Sequence, residues 1–523
     1  LAHEDDSFMP PPEGGAQPFD KDELALMKTW IRNGASFGNW ERFQHRQAPL
    51  EVAGKSLNMD DAPQLTSQLD ELVEQTGGKR NPLISDQSFL RRIYLDVIGR
   101  IPTLVESRAF LSNSDPDKRA ELIQKLLASE GFVSHMFNWK ANQLRLDPHG
   151  IPGQPGWTYD EWVKEAIRSD MSYDTFVHEL ITAEGLLWVN GATGFYLRDQ
   201  GMPLDHMSNL MRLFLGTRME CAQCHDHPFE PITQQDFYQL ASFTYGVSVM
   251  FGGQSYDVNQ VEHWPALKQR LQETNSDKEF SDSVSGTIAP LKRRTSDTSG
   301  ILTYGKEFMA NPDFHGTEVT LRTLFGDEAP VQIEDRREAL AQWVTSPRNP
   351  RFARNIANRL WKRVFGVGLI EPVDSLSPVD RPEHTELLEF ISKAMTQLGF
   401  DERAFLAMLF NSRLYQSEVV REEWSVGDSM ELRGPWLRRL TAEQLWDSTL
   451  TLLVPDLDER KSSRGDLSYL QKLAGMSADE LWDMAGERLD IRRWHRDHQK
   501  QILDTEDAIR IAEAARNEAK VDQ

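Results

Sequence analysis

Cysteine is almost missing from this chain: 523 residues contain two, at positions 221 and 224. That excludes a disulfide-stapled scaffold and any zinc module built from four thiolates. Long apolar runs are missing too. No stretch approaches the roughly 18 consecutive apolar residues that a membrane span requires, so no transmembrane segment is expected. Basic residues are outnumbered, 58 Lys and Arg against 81 Asp and Glu, for a net charge of −23. A phosphate backbone is held by clustered cations, so nucleic acid is not an expected partner. Internal repeats are also absent.

A chain this long exceeds what one small core can organise, and several packed units are expected. Apolar positions recur at helical spacing in Phe89, Ile93 and Val97, again in Leu122, Ile123, Leu126 and Leu127, and in Met207, Leu210, Met211 and Phe214. Capping patterns predict helix starts at Thr158–Glu161, Thr233–Asp236, Asp380–Glu383 and Thr441–Gln444, and Asp205 can cap the helix before Gly216. Helices are predicted over 336–344 and 352–364. Residues 250–330 lose this periodicity and gain Ser, Thr, Gly and Asp, which predicts irregular structure with short strands such as Glu318 to Leu324. The tail after 456 is charged and predicts at best a lone amphipathic helix over 501–520. The fold class is mainly α: multidomain and helical, with irregular, strand-poor insertions.

The segment Cys221-Ala-Gln-Cys224-His225 carries the chemistry. Two thiols three residues apart can lie on one side of a single turn, where both vinyl groups of a porphyrin are within reach. The next residue, His225, can then serve as proximal iron ligand. Three other readings of the spacing stay open. Zinc could use Cys221, Cys224 and His227 with recruited ligands. A redox dithiol would need a strand–turn–helix setting. A disulfide across so short a loop would stabilise little. Asp226 and His227 follow at once; His227 can meet a propionate, serve a neighbouring site, or hold the loop. No sixth ligand is identifiable: His206 and His384 are candidates, His384 falling on the apolar face with Leu387, Leu388 and Ile391.

These features sit within a longer resemblance. Arg91 to Pro102, Gly194 to Asp199, Phe214 to Thr217, Cys221 to Phe229 and Gln235 to Tyr238 resemble the DUF1549 domain of large planctomycete-type c-type cytochromes. Asn358 to Trp361, Phe365 to Leu369, Glu383 to Leu388 and Leu440 to Leu445 resemble their DUF1553 domain. Phe8-Met9-Pro10-Pro11 and the helix Asp22–Arg32 resemble the end of the cytochrome c domain that precedes them. The resemblance implies a cytochrome c fragment over 1–45, a linker over 46–64, a haem-binding DUF1549-like domain over 65–249, a connecting region over 250–330, a DUF1553-like domain over 331–455 and a charged helical tail over 456–523.

It further implies haem c at Cys221, Cys224 and His225, and Met9 as axial ligand of a second, upstream haem whose own Cys-x-x-Cys-His is expected before Leu1. No leader is visible at Leu1, so a periplasmic or otherwise exported location is an expectation from haem chemistry. The expected role is electron transfer with a redox partner protein, such as one of the DUF1501 type. The alternatives are a haem-dependent oxidoreductase on a carbohydrate-type substrate, with His384, Arg359 or His227 lining a pocket, and a non-catalytic scaffold for a partner enzyme.

Overall fold

The computed structural model describes residues 62–521, save 77–79, 147–156, 200, 251–263, 275–276, 289–290, 292–293, 298–299, 307, 309–310, 326–335, 377–382, 426–427, 455–456 and 460–466. Met9 and the whole 1–45 segment lie outside the described residues. The chain is mainly helical, with almost no strand.

The first helices form where caps and periodicity agree. After α1 (Ala62–Gln75), α2 (Asp86–Ile98) starts where Ser85 Oγ accepts the Ser88 amide. It buries Phe89, Ile93 and Val97 as one stripe, as their spacing predicts. Then come α3 (Leu104–Ser112), α4 (Lys118–Leu127), α5 (Glu130–Leu144), α6 (Trp157–Arg168) and α7 (Tyr173–Thr182). Helix α6 begins at Trp157, one residue ahead of the predicted Thr158 box, and Thr158 is buried in its first turn. Helix α8 (Pro203–Leu215) opens with Pro203 in the first turn, where its missing N–H has no role, so Asp205 lies inside the helix and not at its cap. The capping box at Thr233 starts α9 (Gln234–Ala241) as the sequence predicts.

Between 242 and 335 the structure departs from the sequence reading. Short strands β1 (Gly185–Leu186), β2 (Val247–Met250) and β3 (Arg294–Asp297) form one antiparallel sheet in the order β1-β3-β2. Glu318 to Leu324 forms no strand; only an isolated bridge joins Glu318 to Thr303. Two helices, α10 (Trp264–Glu273) and α11 (Lys278–Ile288), occupy part of the stretch that looked irregular. Their apolar positions are sparse because each buries only a narrow face.

The second half supplies α12 (Arg336–Thr345), α13 (Phe352–Phe365), α14 (Thr385–Gln397), α15 (Glu402–Asn411), α16 (Ala442–Thr451), α17 (Leu467–Gly475) and α18 (Ala478–Val521). Helix α16 carries the predicted Thr441 and Gln444 box. Helix α12 packs on α7, α13 on α8 and α14, and α15 on α1 and α4. One continuous apolar core therefore runs from Ala62 to Leu432 and takes residues from both halves. A smaller core joins Leu267, Val284 and Ile288 to Leu473, Leu481 and Ala485. The C-terminal helix is thus partnered along its first turns by α10 and α11, and the helix predicted over 501–520 is its continuation.

Polar groups inside the large core are matched across the halves. Lys140 Nζ donates to Glu402 Oε2 at 2.6 Å, with both side chains about nine-tenths buried or more, and it lies over the rings of Phe176 and Tyr173. Gln444 Nε2 donates to the Leu95 carbonyl at 2.8 Å. Charges removed from water need such partners.

Candidate functional site

The cysteine turn is set up by the end of α8. Gly216 stops that helix in the left-handed conformation, at φ 56°, and its carbonyl accepts the Leu376 amide at 2.7 Å. A side chain there would lie within 3 Å of Leu376 and of Asn355 Oδ1, so glycine is required twice over. The chain then runs through Thr217 and Met219 into one 3-10 turn, Glu220–Gln223. Ala222 faces inward, fully buried, while Cys221 and Cys224 are exposed free thiols. The Cys221 carbonyl accepts the amides of Cys224 and His225, which closes the turn.

His225 is exposed, and its Nδ1 lies 2.7 Å from the Asp226 carbonyl. A carbonyl can only accept, so Nδ1 is the donor in this contact. Nε2 has no hydrogen-bond partner among the described residues. Asp226 and His227 have structural duties: Asp226 Oδ1 accepts the Gln234 amide at 2.9 Å, and His227 Nδ1 accepts the amides of Phe229 and Glu230. Partial burial moves the His227 imidazole below its usual range, which suits a ring used as an acceptor. Gln234 Nε2 donates to the Gln223 carbonyl and Gln223 Nε2 to Ser208 Oγ, so α9 and α8 brace the turn from both sides.

Both ends of the loop meet one buried cation. Arg351, just before α13, donates from Nη1 to Thr217 Oγ1 at 2.7 Å and lies 3.4 Å from Glu230 through Nη2.

Residues 66–248 match the family PSCyt2, a protein of unknown function (DUF1549). Residues 336–516 match PSD1, a protein of unknown function (DUF1553). The chain carries a DUF1549 and a DUF1553 domain. No curated protein and no solved structure matches it. The DUF1553 match runs through α17 and much of α18, beyond the residues whose motifs suggested it. The DUF1549 match holds the complete cysteine turn and its braces, whereas Arg351 belongs to the DUF1553 stretch.

Neither of the other histidine candidates makes a hydrogen bond to the cysteine turn among the described residues. His206, on α8 within the DUF1549 stretch, is buried, stacked on Tyr196 with centroids 4.5 Å apart, and 3.3 Å from Asp199 through Nδ1. Its Nε2 is buried without a partner, and burial draws the imidazole below its usual range despite Asp199. His384, in the DUF1553 stretch, caps α14 and does not enter its apolar face; its Nε2 donates to the Met430 carbonyl at 2.6 Å. Among the described residues no three His, Cys, Asp or Glu side chains group as a metal cage would require.

An open cleft of about 360 Å³ lies where the two matched stretches meet. Arg359 lines it, and His227 and His384 do not. Arg212, also in its wall, lies 3.8 Å from Glu220, the neighbour of Cys221, and Arg218 pairs at 2.6 Å with the cleft residue Asp374. Only Arg359 was marked by the sequence, because the cleft's cations come from separate segments with no shared motif.

The Asp199 group yields a pH prediction. Burial pushes its carboxyl up, but hydrogen bonds from His206 and Arg198 outweigh that and hold it at about 2. The folded value lies below the ordinary 3.8, so the stabilisation is complete above that value and is lost as pH falls through it toward 2. Between pH 5 and pH 2, urea unfolding should show the wild-type chain losing about 2 kcal/mol more stability than Asp199→Asn. Parallel losses in the two chains would contradict the pairing.

Proposed function

We propose that this chain is an exported c-type cytochrome that holds one haem covalently through Cys221 and Cys224, with His225 as axial iron ligand, and that its role is electron transfer. The observation that carries the reading is the pairing of two exposed, free thiols on one turn with an exposed imidazole whose Nδ1 is tied and whose Nε2 is available. A histidine that ligates metal through one nitrogen usually donates its other N–H to a carbonyl or carboxylate. His225 already has that arrangement with Asp226. The donor set therefore fits haem c, which supplies reversible one-electron chemistry when bound.

This chain's own residues would fix the group and leave it accessible. The thiols anchor it, Asp226 orients the imidazole, and Gln223, Gln234 and Arg351 keep the turn from shifting. The rival readings find less support. The turn follows a helix, not the strand a thioredoxin-like dithiol uses, and His227 spends Nδ1 on backbone amides. Of the two other candidate ligands, His206 is buried and the His384 Nε2 is tied to the Met430 carbonyl. Haem attachment of this kind takes place after export, which makes the chain periplasmic or otherwise exported, and electron transfer requires a partner protein, for which a DUF1501-type protein is a candidate.

Expression in a host with an active cytochrome c maturation apparatus tests this directly. The purified chain should carry haem that stays with the polypeptide on a denaturing gel and gives a c-type spectrum on reduction. Fully matured chain recovered without haem would overturn the proposal.

A further inference from the structure

A chain with a net charge of −23 gathers cations around its open cleft. Arg145, Arg198, Arg212, Arg359 and Lys362 line it. The carboxylates facing them there are Glu371 and Asp374, and both are already engaged: Glu371 with Lys362 at 2.9 Å, and Asp374 with Arg218 at 2.6 Å. Arg198 is matched by Asp199. Arg212 donates from Nη2 to Asn209 Oδ1 at 3.1 Å, and its closest carboxylate contact is Glu220 at 3.8 Å.

Arg359 is the sharpest case. Its Nε donates to Asn355 Oδ1 and its Nη2 to the Arg212 carbonyl, both at 3.1 Å, so the guanidinium is held in a fixed plane. No described carboxylate forms an ion pair with it, and Nη1 has no hydrogen-bond partner among the described residues. Burial disfavours its charged form most; Tyr173 and Asp374 act in the opposite sense and Arg212 adds to the burial, leaving the group below its usual range, a condition an incoming anion would relieve. Two guanidiniums in the wall of one cleft can offer N–H groups to the planar or tetrahedral oxygens of an oxyanion. Ligand pockets span about 300–1,000 Å³, so this cleft suits a compact molecule and not a polymer.

We propose that the cleft between the two matched stretches binds a small oxyanion-bearing metabolite, a carboxylate or sulfate, with Arg359 and Arg212 as its principal ligands. The site lies beside the cysteine turn through the Arg212–Glu220 and Arg218–Asp374 contacts, but its occupancy does not depend on haem at that turn. It goes beyond electron transfer by giving the chain a small-molecule ligand of its own.

Isothermal titration calorimetry on the full chain, in a low-ionic-strength buffer free of multivalent anions, is the test, with citrate and inorganic sulfate as probes and glucose as the neutral control. Citrate should bind saturably at one site, sulfate should compete, and glucose should give no heat. Arg359→Gln and Arg212→Gln should each weaken citrate binding about tenfold or more. Because Arg359 is largely buried and braces Asn355 and the Arg212 carbonyl, Arg212→Gln decides the matter if the first variant fails to fold. Binding that persists in Cys221→Ala/Cys224→Ala separates this site from the haem proposal. Absence of saturable citrate binding, or equal binding in folded Arg212→Gln, would overturn the inference.

Discussion

Cys221→Ala/Cys224→Ala should remove all covalently retained haem while leaving the helical fold in place. Both thiols are exposed and free, and neither contributes to the core. The turn that presents them is fixed by other groups: buried Ala222 beneath it, and the hydrogen bonds of Gln223 and Gln234 beside it. Surface substitutions away from such features change stability by about 0.5 kcal/mol or less. Haem staining on a denaturing gel should fall to background, with far-ultraviolet circular dichroism and the urea midpoint of the haem-free chain unchanged. His225→Ala should behave differently. Under the proposed attachment it would keep the thioether links, so the stain should survive, but it would lose the imidazole offered to the iron, and the reduced spectrum should change. A double-cysteine variant that collapses would assign the haem to holding the fold together, and one that keeps its stain would remove the attachment site altogether.

The largest expected loss of stability lies elsewhere, at Glu402. Its carboxylate meets Lys140 at 2.6 Å, and the ammonium lies over Phe176 and Tyr173 with its side chain 5% exposed. Glu402→Ala leaves that ammonium in an aromatic setting with no counter-charge. Breaking a buried pair on one side costs about 3–5 kcal/mol, whereas replacing both partners by apolar residues of similar size is often close to neutral. Urea unfolding of Glu402→Ala should show a loss in that range, and Lys140→Met/Glu402→Leu should recover most of it. An equal loss in the double variant would mean that packing, and not the stranded charge, sets the effect.

Much of this architecture is legible in the sequence wherever local and tertiary demands coincide. Phe89, Ile93 and Val97 form a buried stripe because helical spacing and core burial ask for the same residues. Thr233 and Thr441 cap helices because their partners, Asp236 and Gln444, lie three residues on. The candidate site is legible for the same reason, since all three of its donors fall within five consecutive positions. What stayed hidden depends on distant partners. Helices α10 and α11 have narrow apolar faces that make sense only against α17 and α18, about two hundred residues later. His384 sits at helical spacing from Leu387 and Leu388, yet a carbonyl on another segment claims it at the helix entrance. The basic cleft draws on residues from 142 to 374, and periodicity reports nothing about such convergence.

Arg351 gives that last point a practical edge. One guanidinium fastens the loop at its root, Thr217, and at its far end, Glu230, yet it is supplied by the other matched stretch. Cut free as a 66–248 fragment, the cysteine turn would lose its clasp, and α7 would lose the cover of α12. The motif is contiguous on paper, but its rigidity is on loan from elsewhere in the chain. Any attempt to graft this turn, or to mature it in isolation, would have to carry Arg351 along.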